Sequence, residues 1–413
     1  LYMSFKDLQL NKPILKALAE KNYNHPTAVQ EKTIPLVLEK KDVIVSAQTG
    51  TGKTAAFALP ILQLLYDRQD APKKGKKIKA LVISPTRELA IQIEENFKSY
   101  GKYTNLRTTV VYGGMPIEPQ IERLKKGIDI LIATPGRLLD LHKQDEVNLD
   151  YVEVFVLDEA DLMLDMGFID DVRKIERLCT REKQNLLFSA TMPLKVIELA
   201  QDILNDPIRI EVTPHSKAAE AVDQILYYTP KPKKIELALH LLRNTIKGNI
   251  LIFRRTKYGV EKLEQTLKKN GYLVDSIHGD KSQNARQDAL QKFKNGDVNI
   301  LIGTDVASRG IDINGLDAVI NFDIPNVSET YVHRIGRTGR ADKQGVAYSF
   351  CSADEKAYLA DIEKMLGEKI RVEEDHPYPL NPKAKPEVHK KQGSAHKKGR
   401  KSAASKKNKK RWY

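Results

Sequence analysis

The segment Ala47–Thr54 reads AQTGTGKT, with two glycines, a lysine and three hydroxyls in eight residues. Such a loop suits phosphate. Gly50 and Gly52 let backbone N–H groups approach phosphate oxygens, while Ala47, Gln48, Thr49 and Thr51 complete the cradle. Lys53 would reach the β- and γ-phosphates, and Thr54 would offer a hydroxyl to Mg²⁺ at a helix N-terminus whose dipole favours anions. Farther along, Val154–Leu157 leads into Asp158-Glu159-Ala160-Asp161. Asp158 at a strand tip suits Mg²⁺ coordination through water, and Glu159 can polarise an attacking water. His333–Arg340 reads HRIGRTGR and places Arg334, Arg337 and Arg340 three residues apart. At that spacing arginines can project together, and guanidinium forks clamp phosphate well. The chemistry implied is hydrolysis of a nucleoside triphosphate.

The elements that must position these residues are legible as alternating patterns. Asp42–Ser46, Ala80–Ser84, Ile128–Ala133 and Val152–Leu157 are apolar without alternation, which fits strands buried on both faces of a parallel sheet. Helical patterns follow some of them, at Lys53–Tyr66 and Glu88–Lys98. The alternation resumes after residue 220 with Asn249–Phe253, Val274–His278, Asn299–Gly303 and Ala318–Phe322. Two successive α/β blocks are the simplest account. We expect a first domain over 3–213, a linker over 214–221, a second domain over 222–370 and a basic low-complexity tail over 371–413. The lysine-rich stretch Asp70–Lys79 reads as a solvated connection. The arginines of HRIGRTGR lie in the second block, so closure of the two blocks would complete a catalytic site.

At this point the motifs, taken in order and spacing over roughly residues 4–370, resemble those of the DEAD-box RNA helicases, ATP-dependent members of helicase superfamily 2 built from two RecA-like domains. Phe5 and Tyr23–Gln30 (YNHPTAVQ) resemble the upstream aromatic and the Q motif, which implies that Phe5 stacks on adenine and Gln30 reads its edge. Asn22 stands where that motif usually opens with Gly. Pro85, Thr86 and Arg87 of PTREL, Gly114 of the Gly113-Gly114 pair, and Thr134 and Arg137 of TPGR resemble the RNA-facing motifs of the first domain. Ser189-Ala190-Thr191 resembles the motif that couples hydrolysis to strand separation. In the second block Ile252-Phe253-Arg254, His278-Gly279-Asp280, Gln283 with Arg286, and Thr304-Asp305 with Arg309–Asp312 continue the match. The resemblance implies RNA contacts at Arg254, Gly279, Thr304 and Asp305, ribose contact at Asp312, and γ-phosphate contact at Arg337 and Arg340. ATP and Mg²⁺ are the implied cofactors and RNA the implied partner. Contacts through small residues, hydroxyls and arginines hold successive phosphates without reading bases, so little sequence preference is expected.

Charge supports a partner of this kind only in one place. The chain has 413 residues and a net charge of +14. Residues 380–413 hold 13 basic residues against a single acid, Glu387, which leaves 55 basic and 53 acidic residues over 1–379. The polycation is therefore a tail, too poor in branched apolar residues to fold, and suited to electrostatic contact with RNA. Cys179 and Cys351 lie too far apart in sequence to suggest a disulfide framework or a zinc site, which favours a reducing, cytoplasmic compartment. No stretch reads as a membrane span, and Met3-Ser4-Phe5 reads as a natural start. Two rivals share most of these features: a DNA-directed superfamily 2 helicase, and an ATP-gated RNA clamp or annealing factor. Within the family, the short tail and the Ile335–Leu366 neighbourhood resemble the bacterial ribosomal-RNA-helicase-E-like subgroup, which implies ribosome assembly or RNA turnover.

Overall fold

The computed structural model describes residues 3–48, 50–67, 77–179, 182–212, 222–305, 313, 315–339 and 345–381. Thr49, Arg309, Asp312, Arg340, the expected linker 214–221 and the tail beyond residue 381 lie outside the described residues.

Non-alternating apolar runs need both faces covered, and both are. Strands β1 (Val43–Ala47), β2 (Ala80–Ile83), β3 (Thr108–Val111), β4 (Ile130–Ala133), β5 (Val154–Leu157), β6 (Gln184–Ser189) and β7 (Ile208–Val212) form a parallel sheet in the order β3-β4-β2-β5-β6-β1-β7. Successive side chains leave a strand on opposite faces. Val43, Val45, Val82 and Val156 thus join one core layer, with Phe57 and Phe97 of the helices Lys53–Tyr66 and Arg87–Tyr100. Ile44, Leu81, Ile83 and Phe155 join the layer on the other face.

A second parallel sheet repeats the plan. It contains β8 (Val222–Tyr228), β9 (Ile250–Phe253), β10 (Val274–Ile277), β11 (Ile300–Gly303), β12 (Ala318–Asn321), β13 (Gly345–Cys351) and β14 (Arg371–Val372), in the order β10-β11-β9-β12-β13-β8-β14. Here Ile250 and Ile252 face one layer, Leu251 and Phe253 the other. Counted from its own first strand, each sheet reads 3-4-2-5-6-1-7. These are two tandem RecA-like α/β domains.

The expected strands all form, within two residues of the expected bounds. Strands β3, β6, β7, β8, β13 and β14 were not among those expected; β7, for one, is mostly exposed and carries Arg209 and Glu211, so it lacks the buried pattern. The second domain also runs past residue 370, where the tail was expected to begin. β14 pairs with β8 in parallel, Leu380 N–H donates to Tyr228 O at 2.9 Å, and the His376 ring meets Tyr227 edge-on at 5.4 Å. In a fold of this kind ligands bind outside the carboxyl ends of the strands. The segments just after β1, β2, β4, β5, β6, β9, β10 and β11 carry most of the residues singled out above.

Candidate nucleotide site and nucleic-acid interface

The phosphate loop joins β1 to the helix Lys53–Tyr66, and its shape depends on glycine. Gly50 and Gly52 have φ of +84° and +91°, the left-handed region where a side chain is strained. At Gly52 a Cβ would also lie 2.3 Å from Gln30 Nε2. Two residues of the Q-like segment pin this loop from outside: Gln30 Nε2 donates to Gly52 O at 3.1 Å, and Thr27 Oγ1 donates to Thr51 O at 2.8 Å. Gln30 Oε1 in turn accepts from Thr27 N–H at 2.9 Å, closing a capping box at the helix Ala28–Leu38. Gln30, expected at the adenine edge, is thus tied to the phosphate loop here, and Thr27 joins it although its motif role was not separately anticipated. Phe5 is buried. Its ring is only 4% exposed and packs with Leu8, Leu10 and Ile14, so it offers no open face for stacking in this structure.

Behind the loop lies a buried charge cluster. Lys53 Nζ and Glu159 Oε1 pair at 2.9 Å, both nearly enclosed. Burial alone would push the ammonium pKa down, but Glu159, then Asp158 and Asp161, outweigh it and hold Lys53 above its ordinary value. Asp158 moves the other way: burial first and Glu159 second push its carboxyl up to about 7. Its Oδ1 is buried with no hydrogen-bond partner among the described residues. An orphaned carboxylate oxygen beside a phosphate loop fits a divalent cation, with Thr54 as the nearby hydroxyl. No cluster of three His, Cys, Asp or Glu side chains fit for a metal occurs among the described residues. Asp158 and Thr54 would hold a Mg²⁺ bound with the nucleotide, which would supply neutralisation of phosphate charge. Glu159 itself sits at φ 55°, ψ 55° as N-cap of the helix Ala160–Asp165, an uncommon conformation for a non-glycine residue.

Asp161 carries this cluster to the Ser189-Ala190-Thr191 loop. Its Oδ2 accepts from Thr191 N–H at 3.0 Å and Thr191 Oγ1 at 2.9 Å, while Ser189 Oγ accepts from Asp161 N–H at 3.1 Å. Burial pushes the Asp161 carboxyl up, yet Lys53, His333 and these hydrogen bonds hold it below the usual carboxylate range. His333 belongs to the second domain, so the acidic segment already senses the arginine-bearing helix Ser328–Ile335.

The residues expected to face RNA cluster at helix N-termini. Thr86 caps the helix Arg87–Tyr100 and accepts from Leu89 N–H at 3.3 Å, and Thr134 precedes the helix Pro135–Lys143. Such ends favour phosphate. Pro85 stands immediately before that cap. Gly114, at φ +75°, leaves space for the Arg87 guanidinium, which a Cβ there would approach to 2.2 Å. Arg87, Arg137 and Arg286 converge: burial lowers the Arg87 pKa first, Glu88 opposes this, and the other two arginines lower it further. Arg137 Nε and Nη1 and Arg286 Nε are buried without hydrogen-bond partners among the described residues. Unsatisfied guanidinium donors of this kind fit an anion. Glu88, which sequence reasoning passed over, ties the domains together through Gln283 Nε2 at 3.0 Å and Arg286 Nη2 at 3.1 Å.

In the second domain the expected assignments divide. Around Gly279 a Cβ would meet nothing within 4 Å, so the loop is open there, and Thr304 follows the end of β11. Arg254 and Asp305 are spent internally. Arg254 Nε donates to Asp323 at 2.9 Å and its guanidinium lies 4.1 Å from the Phe322 ring centre. Asp305 gives both carboxylate oxygens to Arg334, at 2.6 and 2.8 Å. Arg334 is 2% exposed, so it does not project alongside Arg337 as the three-residue spacing suggested. A charge buried this far needs a partner, and Asp305 supplies it. Arg337 follows this helix and is also buried, at 4%.

A phosphate loop on one parallel sheet, an arginine-bearing helix on its twin and helix N-termini lined with threonine and arginine define a nucleotide-driven enzyme of nucleic acid. Residues 27–200 match the family model described as DEAD/DEAH box helicase, and residues 233–342 match that of the helicase conserved C-terminal domain. The chain belongs to the DEAD-box ATP-dependent RNA helicase family and is accordingly an RNA-dependent ATPase. It is 43% identical over 369 residues to the DEAD-box ATP-dependent RNA helicase RhpA of Helicobacter pylori, covering 89% of this chain and 74% of that one. To the CshA helicase of Bacillus subtilis it is 41% identical over 368 residues, covering 89% and 73%. Among solved structures, the Saccharomyces cerevisiae protein Dbp5 bound to RNA and ADP BeF3 matches with a TM-score of 0.79 at 30% identity, covering 90% of this chain and 95% of that one.

Proposed function

We propose that this helicase separates short RNA duplexes locally and non-processively, by closing its two domains around ATP and one RNA strand. The single observation that carries this is the placement of Lys53, Asp158 and Glu159 on the first domain and Arg337 on the second, with Glu88, Gln283 and Arg286 joining the domains beside the cluster of Arg87, Arg137 and Arg286. In this reading Lys53 holds the phosphates, Glu159 orients the attacking water, and Asp158 with Thr54 holds Mg²⁺. Arg337 and Arg340 stabilise charge developing on the γ-phosphoryl as it passes from ADP to water, and Asp312 meets the ribose. Contacts to the sugar–phosphate backbone give slight sequence preference.

The relatives RhpA and CshA are bacterial, and both cysteines are unpaired, which supports work in a bacterial cytoplasm, in ribosome assembly or RNA turnover. The ribosomal-RNA-helicase-E-like placement rests on the short tail and the Ile335–Leu366 neighbourhood; the relatives above carry the names RhpA and CshA. The basic tail would hold structured RNA near the core. A duplex-displacement assay tests the reading, run with ATP and with a non-hydrolysable analogue across a salt series, on the full chain and on residues 1–379. ATP-dependent displacement is expected, and the truncated chain should show a flatter salt dependence of RNA binding, by about 0.7 in slope per lost phosphate contact. ATP-gated binding or annealing without displacement would instead support the clamp reading, and an unchanged slope would reduce the tail to a solvated appendage.

A further inference from the structure

Because the two sheets share one strand order, each strand of the first has a counterpart in the second: β1 with β8, β5 with β12, β6 with β13. Along this correspondence one lysine repeats. Lys53 stands six residues after Ala47, the last of β1, and opens the helix Lys53–Tyr66. Lys234 stands six residues after Tyr228, the last of β8, and opens the helix Lys234–Asn244. Both are buried, at 6% and 1% exposure. Each faces a carboxylate two residues beyond a strand end: Glu159 after β5 at 2.9 Å, Asp323 after β12 at 3.9 Å.

What fills the space between them differs. The loop Thr229–Lys233 contains Pro230 and Pro232, which lack an N–H, and none of its five residues has a positive φ. Its backbone therefore cannot form the nest of donors that Gly50 and Gly52 allow in the first domain. The three N–H bonds of Lys234 go to Glu355 Oε2 at 2.5 Å, Phe322 O at 2.8 Å and Phe350 O at 3.0 Å. An ammonium has three donors, so none remains for a phosphate. These acceptors lie just beyond β12, at the end of β13 and in the turn that follows it. Next to Phe322, Asp323 O accepts from Arg334 Nη1 at 2.7 Å, and Arg337 N–H donates to Arg334 O at 3.2 Å. Glu355 also accepts from Arg255 Nη2 at 3.1 Å and Ile324 N–H at 3.2 Å.

We propose that Lys234 is the second domain's counterpart of the phosphate-loop lysine, with the phosphate replaced by the chain's own carboxylate and carbonyls, and that it is a positioning residue for ATP hydrolysis. It fixes the strand tips that hold Arg334, and through Arg334 it sets Arg337. The positioning half rests on the reading of Arg337 given above. The test uses the full chain and compares Lys234→Met, Lys234→Met/Glu355→Gln and Arg337→Lys. RNA-stimulated ATPase is measured alongside the affinity of a fluorescent ATP analogue without RNA. Removing both members of a buried ion pair is tolerated better than removing one, so the double variant keeps a folded protein in hand. Expected are nucleotide affinities within about two-fold of wild type in all three, with kcat lowered about ten-fold or more per folded molecule. Wild-type kcat in a folded Lys234 variant, with Arg337→Lys impaired, overturns the proposal. So does a loss of nucleotide affinity in Lys234→Met matching its loss of kcat. Wild-type kcat in Arg337→Lys contradicts the reading of Arg337 instead, and with it the route by which Lys234 acts.

Discussion

At Gly114 one missing methyl group decides where an arginine can sit. A Cβ would add left-handed strain at φ +75° and displace the Arg87 guanidinium from 2.2 Å away. Gly114→Ala should therefore weaken RNA binding about ten-fold, a loss of about 1.4 kcal/mol, while leaving ATP affinity without RNA unchanged. Fluorescence anisotropy with a labelled single strand checks it, and unaltered RNA affinity would remove Arg87 from the interface. Glu159 shows the complementary case. Its left-handed backbone, with ψ also near 55°, costs about 1–2 kcal/mol in an L-residue and is maintained by the helix it caps and the Lys53 pair. Strain of this kind at a reacting group fits a side chain whose direction matters more than its backbone comfort.

The strand tips are the elements that turn this sequence into a site, and the tip of β12 is the most heavily charged. Burial pushes the Asp323 carboxyl up, but Arg254, Lys234 and Arg255 outweigh burial and hold it below the usual range. The folded chain thus keeps this group ionised to lower pH than the unfolded chain does. Its stabilisation is complete above the unfolded value, near 3.9, and is lost as pH falls through the folded value. Asp323→Asn should cost about 3 kcal/mol at pH 7, since it strands buried cations, and the difference from wild type should shrink as pH falls below about 4. Urea unfolding of both proteins at several pH values measures this, and a pH-independent difference would contradict it. The same tips mark the limit of what the sequence discloses. Phosphate chemistry needs contiguous residues, so the loop Ala47–Thr54 and the segment Asp158–Asp161 were legible, as were strands buried on both faces. Pairings made across the sheet were not. Nothing local tells that Arg334 turns inward to Asp305, that Arg254 stacks on Phe322, or that Lys234 meets Glu355. Nor does anything local tell that the Phe5 ring is buried with Leu8, Leu10 and Ile14.

On the scale of the whole molecule, two copies of one fold have divided the work. The first keeps the phosphate loop and the acids. In the second, the equivalent lysine is buried among internal acceptors, while the helix Ser328–Ile335 lies within reach of Asp161 through His333. The converging arginines Arg87, Arg137 and Arg286 likewise come from both copies, with Glu88 bridging to Gln283 and Arg286. If ATP and RNA both favour the joined arrangement, each must strengthen the other's binding by the same factor, since coupling free energy is reciprocal. The near-neutral balance over 1–379 leaves this coupling to specific contacts rather than to bulk charge. The most direct test of the account separates binding from chemistry at Glu159. In Glu159→Gln, ATP and RNA should still bind, each raising the other's affinity as in wild type, while RNA-stimulated hydrolysis falls by about 10² or more and multiple-turnover duplex displacement is lost. Wild-type turnover in that variant would contradict the assignment of Glu159 and the hydrolytic cycle built on it.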